Sequence, residues 1–293
     1  MTVSGNQLLA MEYPLPPPSN RLIGEVQMAK AHFGDNTASV SSRYNLGLNS
    51  IVAANPGTTE YTLNSRNLII PTAFILPPMP YKGMIINLPE MRLYYYPENG
   101  DKVITYPIGI GKIGNTIPIQ NTTITRKKLN PSWIPGADAR KYNEMQGVNL
   151  PRVLPPGPDN PLGHYAIYLN IPSFLLHSTV APESIGRRAS FGCIRMNETD
   201  IQELFPIIQA GTHVEIINMP NKVGWQGDKL YLEAHPLLDE HDKGMDTNLD
   251  DIVAAINSQL PKDNNVLIDW QFVAHLAGEP DGVPHEIGMK VKS

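Results

Sequence analysis

The chain has 293 residues, enough to bury a substantial hydrophobic core and to form more than one structural unit. Its formal net charge is −5, only 17 % of its residues are charged and no basic tract is present, which argues against a nucleic-acid-binding protein. No segment resembles a membrane span or a secretory signal, so we expect a cytosolic chain or a mature chain whose signal was removed.

The first 71 residues are predicted to form an arm and a small folded unit. Residues 1–22 are expected to be an extended arm, because their proline cluster cannot join a regular helix. Residues 23–71 have the pattern of a βααβ unit, with one strand within 23–33, a Gly-Asp-Asn turn before two helices, an Asn-Pro-Gly break and a closing strand at 67–71. This pattern resembles a LysM module, which implies binding of glycans that contain N-acetylglucosamine. The alternative is a small helical adaptor without a ligand.

The rest of the chain is predicted to contain a linker, a mainly β domain and a C-terminal subdomain. Residues 72–82 carry three prolines and are predicted to be the linker. Residues 83–218 have the patterns of short strands, a hairpin turn at Asn99-Gly100 and one clear helix over 198–209. Within this domain, residues 126–163 form a long proline-rich loop that we expect to be a lid or a wall of a binding site.

Residues 219–293 are predicted to form the C-terminal subdomain or tail. A strand is expected over 228–233 and an amphipathic helix over 250–260. The acidic run at 239–242 is expected to be a solvated loop.

The single cysteine, Cys193, is the residue that points most directly to chemistry. It cannot form an internal disulfide, so it is either an inert core residue or a thiol retained for a reaction. His177 lies sixteen residues upstream, and the segment between them is rich in turn-forming residues. A histidine within hydrogen-bond reach takes a thiol proton and returns it to a leaving amine, and the amides of Gly192 and Cys193 are candidates for an oxyanion hole. Spacing alone leaves open a buried, unreactive Cys193.

Neither a metal nor a cofactor is predicted. The sequence has no Cys-x-x-Cys or His-Glu-x-x-His motif and no carboxylate cluster with ligand spacing. The seven other histidines are scattered along the chain, and we expect each of them to be a surface or core residue.

The sequence around His177 and Cys193 carries a family resemblance. His177-Ser178, residues 182–188 and the run Ser-Phe-Gly-Cys-Ile-Arg-Met at 190–196 resemble the signature of the L,D-transpeptidases with a YkuD domain. Residues 121–127, 130–133 and 157–163 further resemble the branch found in Gram-negative envelopes. The resemblance implies a YkuD-type β-sandwich catalytic domain with one or two helices over 83–218.

Two departures from the family pattern bear on the site. Phe191 stands where the family has a histidine before Gly-Cys, which leaves His177 as the predicted base. Residues 116–120 replace a more usual Thr-Pro-x-Gly turn, which affects the expected loop geometry and not the chemistry.

The resemblance implies an activity in cell wall biogenesis and cell shape. Cys193 would form a thioester with the third-position diaminopimelate of a peptidoglycan stem tetrapeptide, release D-alanine and pass the acyl group to an amine. The residues expected to bind substrate are Arg195, Ser190, Phe191, Ser178 and Arg188. For the arginines the alternative is salt bridging within the loop, and for Ser190 it is support of the turn. The resemblance also implies inhibition by carbapenems.

The predicted partners are peptidoglycan stem peptides and glycan strands, and the predicted compartment is the periplasm. A single unpaired cysteine suits that oxidising compartment. The acyl acceptor stays open between a second diaminopimelate, a lysine of an envelope protein and water. A carboxypeptidase or amidase on the same fold and a non-catalytic peptidoglycan-binding protein are the alternatives.

Overall fold

The computed structural model describes residues 11–58, 63, 65–98, 100–115, 117–241, 245–261 and 265–291. In these ranges the strands are β1 (Met11–Pro14), β2 (Leu22–Gly24), β3 (Gln27–Lys30), β4 (Asn67–Ile70), β5 (Ala73–Ile75), β6 (Gly83–Asn87), β7 (Arg92–Tyr96), β8 (Lys102–Pro107), β9 (Ile110–Gly111), β10 (Gln120–Leu129), β11 (Tyr165–Leu169), β12 (Leu175–Ser178), β13 (Arg188–Ser190), β14 (Ile194–Met196), β15 (His213–Ile217), β16 (Asn221–Gln226), β17 (Lys229–Ala234), β18 (Val266–Ile268) and β19 (His285–Lys290). The helices are α1 (Thr37–Arg43), α2 (Leu48–Ala54), α3 (Ala137–Met145), α4 (Glu198–Ile207), α5 (Met245–Gln259) and α6 (Trp270–Gly278).

Residues 83–218 are built around one large sheet. In the described part of the chain its strand order is β1-β8-β7-β6-β15-β10-β11-β12-β14, and only the β6–β15 and β12–β14 pairs are parallel. Alternate residues along these strands, such as Leu93, Ile167 and Leu176, are buried in a common apolar core that α4 covers. The prediction of a mainly β domain with one or two helices is confirmed, and the predicted helix over 198–209 corresponds to α4.

The N-terminal unit has the predicted βααβ order. Strands β3 and β4 pair antiparallel, with α1 and α2 between them in the chain. The Gly-Asp turn has a structural task, because Asp35 accepts hydrogen bonds from the His32 amide and from both terminal nitrogens of Arg43. The Asn-Pro loop also has a structural task. The Asn55 side chain donates a hydrogen bond to the Ile69 carbonyl and accepts one from the Ile69 amide. These contacts explain the sequence pattern without a ligand.

Two predictions in this region need correction. The strand expected within 23–33 is two strands, and β2 pairs with β5 and not with β4. Residues 73–76 of the predicted linker are therefore part of the folded body, and Leu76 is fully buried. The three nearby prolines concealed a short apolar strand. Residues 11–14 of the arm also form a strand, at the edge of the large sheet beside β8. Asn99, of the predicted hairpin turn, and Thr116 lie outside the described residues.

The C-terminal region is a compact subdomain and not a tail. Strands β16, β17, β19 and β18 form a sheet in that order, and α5 and α6 pack on it through residues such as Ile252 and Val273. The predicted strand over 228–233 and helix over 250–260 correspond to β17 and to most of α5. The other strands and α6 were not predicted.

A buried lysine connects the C-terminal subdomain to the large sheet. Lys222 Nζ is fully buried and lies 2.9 Å from Glu90 Oε2 and 2.8 Å from Glu233 Oε1. It also donates to the hydroxyl of Tyr94 at 3.0 Å. Glu233 Oε2 in turn accepts the amide of Ile75, so this network joins the C-terminal sheet, the large sheet and β5. Burial would raise the pKa of Glu90, but Lys222 and other cations outweigh burial and hold it below its usual range.

We expect Lys222→Met to destabilise the protein by about 3–5 kcal/mol, because it removes the buried ammonium that pairs with both Glu90 and Glu233. Urea unfolding of both proteins at neutral pH measures this loss. The matched control is Lys229→Met, which removes an exposed ion pair with Glu286 in the same sheet and should leave the midpoint nearly unchanged. Equal midpoints for Lys222→Met and the unsubstituted protein would contradict a stabilising role for the network.

Candidate active site

The parallel pairing of β12 with β14 places the two predicted catalytic residues on one face of the sheet. Leu176 is opposite Ile194 in this pair, and both side chains are fully buried in the core. His177 is opposite Arg195, so these two side chains emerge on the other face. Cys193 comes two residues before Arg195 and therefore lies on the same face, diagonal to His177. The three residues line one groove together.

His177 is held in the tautomer of a base. Its Nδ1 lies 2.6 Å from the carbonyl oxygen of Ser178, which only accepts hydrogen bonds, so Nδ1 carries the proton and Nε2 keeps its lone pair. Burial lowers the pKa of His177, the Ser178 carbonyl opposes this and Arg195 adds to it, so that the pKa is about 4. The imidazole is therefore neutral at physiological pH and able to accept a proton.

Cys193 is a protonated thiol at rest. Its Sγ donates a weak hydrogen bond to the carbonyl of Ser173 at 3.6 Å. Burial raises the pKa of the thiol and outweighs the Leu175 amide and the charge of Arg195, which both lower it. The neutral thiol and the neutral imidazole line one groove, and nucleophilic attack by such a thiol requires that its proton be transferred to a base.

The groove has a volume of about 680 Å³ and is walled by the segment that the sequence predicted as a lid or wall. That segment contributes Trp133, Ala137, Asp138, Ala139, Asn143, Leu150, Leu154 and Leu162 to the lining. It is more ordered than a loop, because it contains α3 and because the Arg140 side chain donates to the carbonyls of residues 150–152. The sequence analysis missed α3, which buries only Ala139 and so lacks a clear apolar stripe.

A serine organises the turn that carries Cys193. Ser190 Oγ donates to the carbonyl of Cys193 at 2.6 Å and accepts the Gly192 amide at 3.1 Å. Gly192 has φ +114° and packs against the ring of Phe174, a position that a larger residue cannot occupy without strain. The geometry therefore favours the alternative that Ser190 supports the turn and does not bind substrate. The oxyanion hole stays a prediction, and the Gly192 amide would have to leave Ser190 Oγ to take part.

Arg195 and Phe191 both line the groove, as expected of residues near a substrate. Arg195 has a buried Nε with no hydrogen-bond partner among the described residues, which leaves a donor for a ligand. The ring of Phe191 contacts Tyr142 of α3 edge-on at 5.5 Å, and Lys112 Nζ lies 4.1 Å from the Tyr142 ring. Phe191, which replaces the family's histidine, therefore connects the turn that carries Cys193 to the wall of the groove.

Two residues predicted to bind substrate do not line this groove. Ser178 is fully buried, donates to the Leu162 carbonyl and accepts the Tyr165 amide, so its hydroxyl is used inside the fold. Arg188 points away and pairs with Asp239 and Glu240. The acidic run expected to be solvated thus supplies partners to this arginine. No local sequence signal links residues about fifty positions apart.

A cluster of Glu90, Glu233 and His235 is the one group of metal-ligand type within the described ranges. The ammonium of Lys222 lies between its two carboxylates, so a cation of the protein itself already occupies that place. Within the same ranges, no helix is both long enough and apolar enough to cross a membrane.

The chain is similar to known proteins of one family. Residues 82–216 match the YkuD family model, the L,D-transpeptidase catalytic domain. The chain is 36 % identical over 286 residues to the probable L,D-transpeptidase YcfS of Escherichia coli K12, which covers 95 % of this chain and 88 % of that protein. It is 41 % identical over 235 residues to the probable L,D-transpeptidase ErfK/SrfK of Salmonella typhimurium LT2, covering 78 % and 75 %.

Among solved structures, the catalytic domain of an E. faecium L,D-transpeptidase acylated by ertapenem aligns with 48 % of this chain and 100 % of that domain, at 19 % identity and a TM-score of 0.36. The sequence identity to these relatives and the share of each chain that is covered place this chain in the acyltransferase class, with a mainly β domain. The chain belongs to the YkuD family of L,D-transpeptidases.

We expect alkylation of Cys193 by iodoacetamide to accelerate with pH, with a midpoint above that of an unperturbed thiol. The reason is that burial raises the thiol pKa, so the reactive thiolate is scarce at neutral pH. Adduct formation measured by mass spectrometry from about pH 5 to about pH 10, with a short cysteine peptide as reference, tests this. A midpoint below that of the reference peptide would indicate a resting thiolate–imidazolium pair and contradict the assignment.

Proposed function

We propose that the protein is a peptidoglycan L,D-transpeptidase in which Cys193 is the nucleophile and His177 the general base and acid. The observation that supports this most strongly is the placement of both residues on one face of the β12–β14 pair, inside one groove, with His177 Nε2 available as an acceptor. The substrate class is inferred from the family, and the catalytic roles are inferred from the positions of His177 and Cys193 in this chain.

In the first half-reaction, the Cys193 sulfur attacks the carbonyl carbon of the third-position diaminopimelate of a stem tetrapeptide. The thiol proton moves to His177 Nε2 as the carbon–sulfur bond forms. The tetrahedral intermediate then collapses, the carbon–nitrogen bond to the terminal D-alanine breaks, and His177 gives its proton to the departing amine. The Ser178 carbonyl keeps its hydrogen bond to Nδ1–H throughout and stabilises the transient imidazolium.

In the second half-reaction, an acceptor amine attacks the thioester carbon. His177 removes the proton of that amine and returns it to the departing sulfur, which restores the resting thiol. A second diaminopimelate as acceptor gives a cross-link, a protein lysine gives an anchored protein, and water gives hydrolysis.

Arg195 is the residue that we assign to substrate carboxylates. Stem peptides are anionic, and a guanidinium is suited to carboxylates because it donates two parallel hydrogen bonds. Its place beside His177 and Cys193, together with its unpartnered Nε, supports this role. The chain would act in the periplasm, where peptidoglycan lies, and the βααβ unit would contribute glycan binding as a LysM-like module.

We expect incubation with a carbapenem to add the mass of one inhibitor to the protein and to label Cys193. Cys193→Ala should show no adduct while unfolding at an unchanged urea midpoint. His177→Gln should slow acylation by about 10²–10⁴-fold, because it removes the base and keeps a similar volume. Intact-protein mass spectrometry against time measures both effects.

The matched control for the histidine is His164→Gln, an exposed residue that pairs with Glu198 outside the groove. Its acylation rate should equal that of the unsubstituted protein. An adduct that persists in Cys193→Ala, or equal rates for His177→Gln and His164→Gln, would refute the assigned roles.

A further inference from the structure

The segment between His177 and Cys193 is held on one side by the N-terminal unit. Leu48, the first residue of α2, donates its amide to the carbonyl of Ile185 at 3.1 Å. Gly186 has φ +77°, and a Cβ there would lie 2.5 Å from the Cα of Gly47 and 2.4 Å from the amide nitrogen of Leu48. The two backbones are thus in direct contact, which fixes this part of the segment against α2.

Two residues further on, Arg188 holds the segment on the other side. Its Nη1 donates to Asp239 at 3.0 Å and to Glu240 at 2.7 Å, and its Nη2 also donates to Glu240. The Arg188 side chain is only 14 % exposed, and hydrogen bonding to Glu240 raises its pKa further. Asp239 is exposed, but the two-pronged pair of Arg188 with the partly buried Glu240 is stronger than an ordinary surface ion pair.

A short chain of contacts leads from Arg188 to the nucleophile. Its Nε donates to the carbonyl of Gly111 at 3.2 Å, and β13 pairs with β9 so that Ser190 is opposite Gly111. The amide of Lys112 donates to the Ser190 carbonyl at 2.9 Å. Ser190 Oγ then holds the carbonyl of Cys193. A shift of Arg188 would therefore move the strand pair that supports the Cys193 turn.

We propose that Arg188 is a positioning residue for acyl transfer, anchored by Asp239 and Glu240 of the C-terminal subdomain. This inference rests on the proposed function and replaces the expectation that Arg188 binds substrate. It makes the C-terminal subdomain part of the catalytic machinery, because its acidic pair fixes the turn that carries the sulfur. Misplacement of a nucleophile lowers the rate of the bound complex, whereas loss of a substrate contact weakens binding.

The test uses carbapenem acylation of the full chain, followed over a range of inhibitor concentrations. We expect Arg188→Gln to lower the saturating acylation rate by about tenfold or more, with an unchanged half-saturation concentration. Arg188→Lys keeps the charge without the planar fork and should recover part of the rate. A raised half-saturation concentration at an unchanged saturating rate would overturn the proposal and restore a substrate-binding role.

A second variant leaves the catalytic segment untouched. Asp239→Asn combined with Glu240→Gln should lower the saturating rate, and adding Arg188→Gln should lower it further by much less than Arg188→Gln does alone, since both changes remove the pair between Arg188 and the two carboxylates. If Arg188→Gln fails to fold, the rate of the acidic double variant alone tests whether Arg188 positions Cys193. Additive losses, or an unchanged rate in the acidic double variant, would overturn the proposal.

Two controls separate positioning from general damage. Lys229→Gln removes an exposed ion pair in the same C-terminal sheet and should leave the acylation rate unchanged. Iodoacetamide needs no bound geometry, so its reaction with Cys193 should be equally fast in the Arg188→Gln and unsubstituted proteins; a parallel loss would contradict positioning. Failure of the proposed function would show differently, as an unsubstituted protein that the carbapenem does not acylate at Cys193.

Discussion

The structure of the site depends on one pairing, the parallel register of β12 with β14. Leu176 and Ile194 are opposite each other in the core, and this burial fixes the register because a slip by one residue would turn His177 inward and expose Leu176. Parallel neighbours need a crossing connection, and here that connection carries the turn that ends at Cys193. The same apolar contacts that stabilise the sheet therefore place His177 and Cys193, the proposed base and nucleophile, in one groove.

Burial also decides the charge state of the pair. Removing both groups from water disfavours the imidazolium and the thiolate alike, so burial lowers the pKa of His177 and raises that of Cys193. In the proposed mechanism the resting thiol–imidazole pair is neutral and charge develops only during attack. The Ser178 carbonyl, which favours the imidazolium, and Arg195, which favours the thiolate, are then already in place. Such preorganised groups stabilise charge in the transition state more than in the resting enzyme.

The sequence was most informative where function depends on local chemistry. A lone cysteine, a histidine and the turn formers between them made His177 and Cys193 candidates, and only the family resemblance of the surrounding motif favoured a reactive thiol over a buried one. Short alternating runs predicted the mainly β domain. Contacts between distant segments could not be predicted, such as those of Arg188 with Asp239 and Glu240 or of Lys222 with Glu90. Strand β5 was not predicted because the prolines beside it indicated a linker. Helix α3 was not predicted because it lacks a buried apolar face.

The central claim is that Cys193 carries the acyl group of a stem peptide. It is tested most directly by incubating the protein with a disaccharide tetrapeptide and measuring free D-alanine together with the tryptic peptide 189–195. Our account predicts a disaccharide-tripeptide adduct on Cys193 and at least one D-alanine released for each adduct, because an acceptor amine or water turns the thioester over, with neither product from Cys193→Ala. Release of D-alanine by Cys193→Ala, or an adduct on another residue, would contradict it.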